Sequence, residues 1–286
     1  MGLDLHAYNF LKYLTRNNEC LGDTLTLGRQ EDHYGWINPE NGLKEKYCEK
    51  ILIKEFDALN VESVDVSNYE KATFVQDLNK IWTCKDLLRK KYRSILDFGT
   101  LEHVFNLPQA LESIAKSCEI GGQIIHVQLH SDFCGHGFYQ FSAELFYSWY
   151  SKENGFDDLE IFIAPYCSPN IWYRCLKPER GERCELSGRS VPNSYILVKA
   201  RKNKEVDNRQ CIQSDYSYNW TNNKEAYLPN RETSFLSKIK QLFPYQLKCQ
   251  IKSKLYKFRI FPWWRSKYLV KENLNDLLSN KLDYRS

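Results

Sequence analysis

The feature that most limits how this chain can fold is a regular alternation of strand-like and helix-like segments over its first 200 residues. Short runs rich in Val, Ile and Leu alternate with longer stretches whose apolar residues recur at helical spacing. The strand-like segments are 24–27, 61–67, 72–78, 93–99, 122–129, 158–165 and 194–201, and the helix-like segments are 6–16, 42–60, 82–92, 106–122 and 142–155. This alternation predicts an α/β fold with a mainly parallel central sheet and helices on both faces.

The alternation ends near Asn203, where the chain becomes polar. We therefore predict an α/β domain at 1–203, a polar linker at 204–230 and a basic, mostly helical extension at 231–286. The whole chain carries a formal net charge of +4. The extension alone carries an excess of nine positive charges, so the basic character is confined to the C-terminal part.

The basic extension also contains aromatic residues, which leaves two interpretations open. Trp263 and Trp264 beside lysines and arginines suit peripheral contact with an anionic membrane surface. The same residues would equally suit a helical appendage that packs on the domain or on a partner. No recognised nucleic-acid motif accompanies them, so we expect no nucleic-acid partner.

Other features of the sequence indicate where the chain works. No run of about 18 apolar residues occurs, so no transmembrane helix is expected. The N-terminus has an early acidic residue and no basic region before an apolar core, so it does not read as a secretory signal. The ten cysteines include no CxxC pair and are expected to be reduced. We therefore expect a cytoplasmic protein, with the inner face of the membrane as an alternative location.

Polar residues follow successive predicted strands. Gly28 follows the first strand, Asp65 ends the second and Asp77 ends the third. Because ligands of open α/β sheets bind outside the carboxyl ends of the strands, these residues are expected to lie together at one site. A carboxylate at Asp65 can accept from both hydroxyls of a ribose, and Asp77 can accept from an exocyclic amine while Leu78 packs on a purine ring. The succession predicts a nucleoside-type ligand.

Three of these segments carry a family resemblance. VDVSNYEKA (64–72), FVQDLN (74–79) and LEHVFNLPQALESIAKSCEIGGQII (101–125) resemble the class I S-adenosylmethionine-dependent methyltransferases, in their small-molecule branch. GHGFYQFSAELF (135–146) is similar to methyltransferase-like proteins of bacterial surface-polysaccharide biosynthesis. The resemblance covers about residues 20–200 and implies a Rossmann-like methyltransferase fold with S-adenosyl-L-methionine as cofactor.

Individual residues can also be assigned roles. The catalytic candidates are His136 and Tyr139, which lie in the loop after the fifth strand, where Gly135 and Gly137 give the backbone unusual freedom. They would bind or deprotonate a hydroxyl of a small-molecule or glycan-type acceptor, and a packed aromatic turn is the alternative. The residues expected to bind the cofactor are Gly28, Arg29, Gln30, Asp65, Val66, Asp77, Leu78, Gly99, Thr100 and His103.

The chain departs from its relatives after the first strand. Only one glycine, Gly28, stands there, and Thr26 replaces the usual carboxylate. Since S-adenosylmethionine has no phosphate to be cradled by backbone amides, one glycine is sufficient, and Arg29 or Gln30 can engage its carboxylate. The spacing from Asp65 to Asp77 leaves no room for a full helix. A non-catalytic binding or assembly protein of surface-polysaccharide synthesis remains the alternative function.

Histidines cluster near the fifth strand, yet no metal site is predicted. His126, His130 and His136 match no zinc signature, and His126 is expected to lie within the strand. Some relatives bind a divalent ion with a second Glu three residues before a Glu-His pair, and that place is Gly99 here. Glu102 and His103 are instead expected to begin the next helix and to pack against the cofactor pocket.

Overall fold

The computed structural model describes residues 2–17, 19–34, 45–178, 193–216 and 269–279. The strands are β1 (Gly2–Leu3), β2 (Gly22–Leu27), β3 (Glu31–Asp32), β4 (Ala58–Asp65), β5 (Phe74–Val75), β6 (Tyr92–Phe98), β7 (Cys118–Ser131), β8 (Phe156–Pro165), β9 (Ile171–Cys175), β10 (Ser194–Lys202) and β11 (Leu269–Asn273). Nine of them form one sheet in the order β11-β9-β8-β10-β7-β6-β2-β4-β5, while β1 and β3 pair separately.

One half of the large sheet is parallel. The strands β5, β4, β2, β6 and β7 all pair in parallel. Numbered along the chain, these five strands lie in the order 3-2-1-4-5, which is the order of the Rossmann fold. The direction of winding reverses between β2 and β6, so the strand ends diverge there and leave a crevice. The Rossmann-like part of the fold prediction is therefore confirmed.

The other half corrects the prediction of a mainly parallel sheet. β10 lies antiparallel between β7 and β8, and β9 is antiparallel to both β8 and β11. The connection from β8 to β9 is a turn at 166–170, which is too short for the crossover that a parallel neighbour needs. Because an apolar run does not reveal strand direction, the sequence pattern could not show that the sheet is mixed.

Helices cover both faces of the sheet, as predicted. They are α1 (Leu5–Thr15), α2 (Glu49–Phe56), α3 (Lys85–Leu88), α4 (Leu107–Ser117), α5 (Ala143–Trp149) and α6 (Leu274–Ser279). α1, α2 and α6 pack on one face, and α3, α4 and α5 on the other. Neighbours such as Ile95 and Leu96 are both fully buried but belong to opposite faces, because successive side chains of a strand alternate.

The crossover between β4 and β5 contains no helix, in line with the short spacing from Asp65 to Asp77. Several boundaries differ from the prediction, among them two beside this crossover. Residues 58–60, which were assigned to a helix, begin β4, and the third predicted strand shrinks to Phe74–Val75. The helix before β4 ends because Asp57 adopts a left-handed conformation at φ 52°.

The described part of the C-terminal extension is not purely helical. β11 pairs with β9, and α6 buries Leu274 and Leu277. The rest of 231–286, including Trp263 and Trp264, lies outside the described residues, and the division into domain, linker and extension stays a prediction. Within the part of the chain that the structure describes, no helix is long and apolar enough to span a bilayer.

Candidate functional site

A cavity of about 410 Å³ opens at the carboxyl ends of the parallel strands. We call it the first cavity; its size falls within the usual range for small-molecule sites. Nine of the ten predicted cofactor-binding residues line it, namely Gly28, Arg29, Gln30, Asp65, Val66, Asp77, Leu78, Thr100 and His103. Five further lining residues were not predicted from the sequence: Glu31, Val64, Glu70, Asn79 and Val104. The strand ends thus bring together residues that are up to 76 positions apart in the chain.

Gly28 lies where the loops after β2, β4 and β6 converge. Its φ is +70°, a conformation that favours glycine. A Cβ atom added there would lie 3.1 Å from Thr100 Oγ1 and 3.8 Å from Asp65 Oδ2. The missing side chain therefore leaves room for a ligand to approach the backbone between these two polar groups.

The first cavity is rich in carboxylates. Glu31, Asp65, Glu70 and Asp77 line it, against the single guanidinium of Arg29. That guanidinium is already engaged, since its Nε lies 2.7 Å from Glu49 Oε1 and its Nη1 donates to the carbonyl oxygen of Glu70 at 2.9 Å. A cavity of this charge favours cationic ligands and repels polyanions such as pyrophosphate.

Gln30 joins two of the loops that form the cavity. Its Nε2 donates to the carbonyl oxygen of Leu27 and to Thr100 Oγ1, so the amide donors are used within the protein. Its Oε1 is buried and has no hydrogen-bond partner among the described residues. A buried acceptor without a partner is uncommon, and a ligand donor at this edge of the cavity would satisfy it.

Asp77 is held in place by its own loop. Its Oδ1 accepts from the backbone N–H of Asn79 at 2.9 Å and from the Asn79 side chain at 3.0 Å. These two hydrogen bonds, mainly the backbone one, lower the pKa of Asp77, so the carboxylate stays ionised. The next residue, Leu78, is 5% exposed and provides an apolar wall beside the carboxylate.

A buried network beneath the cavity fixes the segment 99–103 that follows β6. Oδ1 of Asp97 accepts from the backbone N–H groups of Thr100 at 3.1 Å and Leu101 at 3.3 Å. Its Oδ2 lies 2.7 Å from His126 Nδ1, and Tyr150 Oη lies 2.6 Å from His126 Nε2. Burial raises the pKa of Tyr150, so its hydroxyl remains a donor. His126 lies within β7, as predicted.

A second cavity, of about 330 Å³, lies on the other side of the segment 99–103. The segment is a shared wall, because Thr100 and His103 line the first cavity while Gly99 and Glu102 line the second. Gly99, which was predicted to bind the cofactor, therefore lies on the side of the second cavity, and its role in binding stays a prediction. The residues lining the second cavity are Gly2, Asp4, His33, Phe98, Gly99, Glu102, Val127, Leu129, Phe133, His136, Tyr166 and Tyr195.

Glu102 is the most unusual group of the second cavity. It lies in a one-turn 3₁₀ helix at Leu101–His103, not at the start of α4, and it is 1% exposed. Neither carboxyl oxygen has a hydrogen-bond partner among the described residues. Burial, with a smaller contribution from the charge of Asp97, raises the pKa of Glu102 to about 8.

The two predicted catalytic residues have different surroundings. His136 lines the second cavity, and its ring centroid lies 5.2 Å from that of His103 in the shared wall. Tyr139 is not among the described residues that line either cavity, and its hydroxyl donates to the carbonyl oxygen of Phe105 at 2.7 Å. The structure thus brings His136, but not Tyr139, to a cavity.

Comparison with known proteins gives distant structural neighbours. No protein-family model and no curated protein matches the chain. Among solved structures, N-methyltransferase NodS from Bradyrhizobium japonicum WM9 in complex with S-adenosyl-L-homocysteine is 11% identical with a TM-score of 0.41, and the match covers 71% of this chain and 91% of that one. The StiE O-MT is 15% identical with a TM-score of 0.43, at 84% and 82% coverage.

A third neighbour is an O-methyltransferase from a trans-AT PKS multienzyme of Brevibacillus brevis, in complex with S-adenosyl-L-homocysteine. It is 10% identical with a TM-score of 0.41, and the match covers 69% of this chain and 72% of that one. Likeness at this level carries no argument about activity. The strand order identifies the fold, and the two cavities support the function that is proposed below.

Proposed function

We propose that the protein is an S-adenosylmethionine-dependent methyltransferase, with the cofactor in the first cavity and a small-molecule acceptor in the second. The observation that carries the proposal is the carboxylate-rich first cavity at the ends of β2, β4 and β6, with Gly28 at its base. A cationic nucleoside suits this charge and this position at the sheet.

The same observation argues against a dinucleotide cofactor. A pyrophosphate would face four carboxylates, and the only arginine of the cavity is paired with Glu49. Phosphate sites normally offer a glycine-rich turn and free backbone N–H groups at a helix N-terminus, whereas one glycine follows β2 here.

The residues of the first cavity fit the parts of S-adenosylmethionine. Asp65 would accept from the ribose hydroxyls, and Asp77 with Leu78 would hold the adenine ring. Gln30 Oε1, buried without a partner, would accept from the ammonium group, and Arg29 would face the carboxylate. The bound cofactor supplies a methyl group on a cationic sulfur, and transfer of that group leaves a neutral thioether. The chain's main task is alignment, which can contribute about 7–11 kcal/mol to lowering the barrier.

The acceptor would approach from the second cavity, across the shared wall. A hydroxyl acceptor needs to lose a proton as it attacks, and His136 is the nearest candidate base on that side. A glycan-type acceptor and a place in bacterial surface-polysaccharide synthesis are suggested by the resemblance of residues 135–146 alone. The cytoplasmic location is likewise part of the proposal.

Calorimetric titration with S-adenosylmethionine and S-adenosylhomocysteine tests cofactor binding, with NAD⁺ as the comparison ligand. We expect both adenosyl ligands to bind and NAD⁺ to bind much more weakly. Absence of heat and of any rise in Tm at millimolar adenosyl ligand would overturn the proposal. Asp86→Ala is a matched control for variants of the cavity, since Asp86 is an exposed carboxylate that lies away from it.

A non-catalytic binding protein on the same fold is the second candidate. It is favoured by one observation: the Arg29 guanidinium and the Gln30 amide donors are already engaged within the protein. Incubation with methyl-labelled cofactor and a panel of hydroxyl-bearing sugars separates the two functions. Label transfer by the wild type, lost in Asp65→Ala, supports the enzyme, while cofactor binding without transfer to any acceptor supports the alternative.

Peripheral membrane contact through 231–286 is a separate proposal. Because β11 belongs to the sheet, removal of the extension would also remove a strand, so the full chain should be used. Sedimentation with anionic vesicles and with neutral vesicles is the test. Preferential partitioning onto the anionic vesicles is expected, and equal partitioning would exclude the proposal.

A further inference from the structure

We propose that Glu102, His103 and His136 form a binding site for a divalent transition-metal ion at the wall between the two cavities. One carboxylate oxygen and one ring nitrogen from each histidine lie within 4.8 Å of one another. Glu102 and His103 come from the 3₁₀ turn after β6, while His136 comes from the loop after β7. Metal binding at this site does not require that the protein transfers methyl groups, because all three ligands are side chains of the chain itself.

The state of Glu102 is an independent indication of a ligand. Its side chain is 1% exposed, and both carboxyl oxygens lack a hydrogen-bond partner among the described residues. A buried carboxylate without a partner is costly, and buried charges in proteins are normally paired or bound to a metal. A cation between the three side chains would remove that cost.

The loop that carries His136 is fixed onto Glu102 by its backbone. The carbonyl oxygen of Glu102 accepts from the N–H of Phe138 at 2.6 Å and from the N–H of Tyr139 at 3.3 Å. Gly137, with φ +79°, permits this approach, because a Cβ atom there would lie 2.7 Å from the same carbonyl oxygen. The position of His136 beside Glu102 is therefore a property of the fold and not of a free loop.

The donor set selects the class of ion. Two imidazoles and one carboxylate are the ligands that Zn²⁺, Co²⁺ and Fe²⁺ take in proteins, whereas Ca²⁺ and Mg²⁺ prefer all-oxygen sites. Bonds of about 2.0–2.2 Å would require the three donors to move closer together. The rings of His103 and His136 are exposed enough to turn inward for this.

Three protein ligands leave coordination positions open, and the cluster borders both cavities. An oxygen of a molecule in the second cavity could occupy one of these positions and become more acidic there, so that with the ion bound it is the ion, and not His136 as a base, that promotes loss of the proton. A protonated amine placed against Glu102 is the competing occupant, because an ammonium group would also satisfy a buried carboxylate. If the natural occupant is a metal ion, the protein supplied with metal alone should bind it. If the occupant is an amine, the protein should not bind the metal.

The test uses the full chain without an affinity tag, stripped of metal by a chelator and titrated with Zn²⁺ or Co²⁺. We expect one tightly bound ion, a raised Tm and a cobalt absorption spectrum without thiolate charge-transfer bands. His103→Gln and Glu102→Gln should each weaken binding at least tenfold. His103 is 42% exposed, so its variant does not put folding at risk.

His33→Ala is the matched control, because His33 lines the second cavity but is not part of the cluster. It should bind the ion as the wild type does. Equal affinity of the wild type and both cluster variants, or a cobalt spectrum dominated by thiolate, would overturn the proposal. S-adenosylhomocysteine titrations of the same metal-free proteins keep the two hypotheses apart, since cofactor binding can then fail or persist independently of the ion.

Discussion

The two cavities share a wall but differ in how their polar side chains are satisfied. In the first cavity, Arg29 and Asp77 are paired with neighbouring residues of the protein. In the second, Glu102 is 1% exposed, and neither of its carboxyl oxygens has a hydrogen-bond partner among the described residues. Apart from Gln30 Oε1, which has no partner among the described residues, these polar groups of the first cavity are already held, so a ligand there would mainly add contacts. A ligand bound in the second cavity would give this buried carboxyl group the partners that it needs.

The two cavities also differ in the part of the fold that holds their walls in place. The first cavity is formed by the parallel half of the sheet, whose strands all end at the same edge. The second depends on the loop after β7, held by two hydrogen bonds to the carbonyl oxygen of Glu102. Variants that act on the shared wall, on the loop or on one strand end should separate these contributions.

The largest effect is expected from Asp97→Ala, which removes the support common to both cavities. The variant leaves the N–H groups of Thr100 and Leu101 and the buried ring of His126 without their acceptor. Buried donors that lose a partner cost about 1–3 kcal/mol each, so for three donors we expect a loss of at least about 3 kcal/mol in the free energy of unfolding. Urea unfolding measures the loss, and affinity for S-adenosylhomocysteine should fall together with metal affinity. Retention of either affinity would show that the cavities do not share this support.

Gly137→Ala should damage the second cavity alone. The added Cβ meets the Glu102 carbonyl oxygen at 2.7 Å, and the residue must keep φ at +79°. We expect a loss of about 1–3 kcal/mol in the free energy of unfolding, with metal affinity reduced. Calorimetry should give unchanged affinity for S-adenosylhomocysteine. Gly135→Ala is the control, since its φ is also positive but no atom lies within 4 Å of the added carbon.

Asp65→Ala should damage the first cavity alone. Loss of a charged acceptor for two ribose hydroxyls predicts an affinity for S-adenosylhomocysteine about 10–100-fold weaker. The side chain is partly exposed, so the free energy of unfolding should change little, and metal affinity should equal that of the wild type. An unchanged cofactor affinity in calorimetry, with Asp86→Ala as the reference, would remove Asp65 from the site.

The contrast between the cavities also explains what could be predicted from the sequence. Gly28, Asp65 and Asp77 could be placed together because each follows a strand of the parallel half, whose carboxyl ends lie at one edge. No such rule places the residues of the second cavity together. Its lining combines Asp4, at the start of α1, with Glu102, His136 and Tyr195 from distant segments. Of its lining residues, only His136 was expected at an acceptor site, because it lies between Gly135 and Gly137 in the loop after the fifth predicted strand.

The errors have physical causes as well. Glu102 was assigned to the start of the next helix, but the chain forms a separate 3₁₀ turn and α4 begins at Leu107. The antiparallel half of the sheet was not foreseen, because buried strands read as apolar runs in either direction. A usable signal was present in Tyr166 and Tyr195, aromatic residues at the ends of two late strands that face the same cavity.

The smallest predicted effect is a pH dependence of the loop that bears His136. His130 is half-buried at the base of this loop, its Nδ1 donates to the carbonyl oxygen of Phe141 at 2.8 Å, and this partial burial lowers its pKa below the usual value of 6.5. The unfolded chain then binds more protons than the folded one below about pH 6.5, so stability falls as the pH is lowered through that range. His130→Gln should make this fall shallower between pH 7 and pH 5 in urea unfolding. An unchanged pH profile would mean that His130 does not couple protonation to the loop, and the second cavity would then owe its position to the Glu102 carbonyl contacts alone.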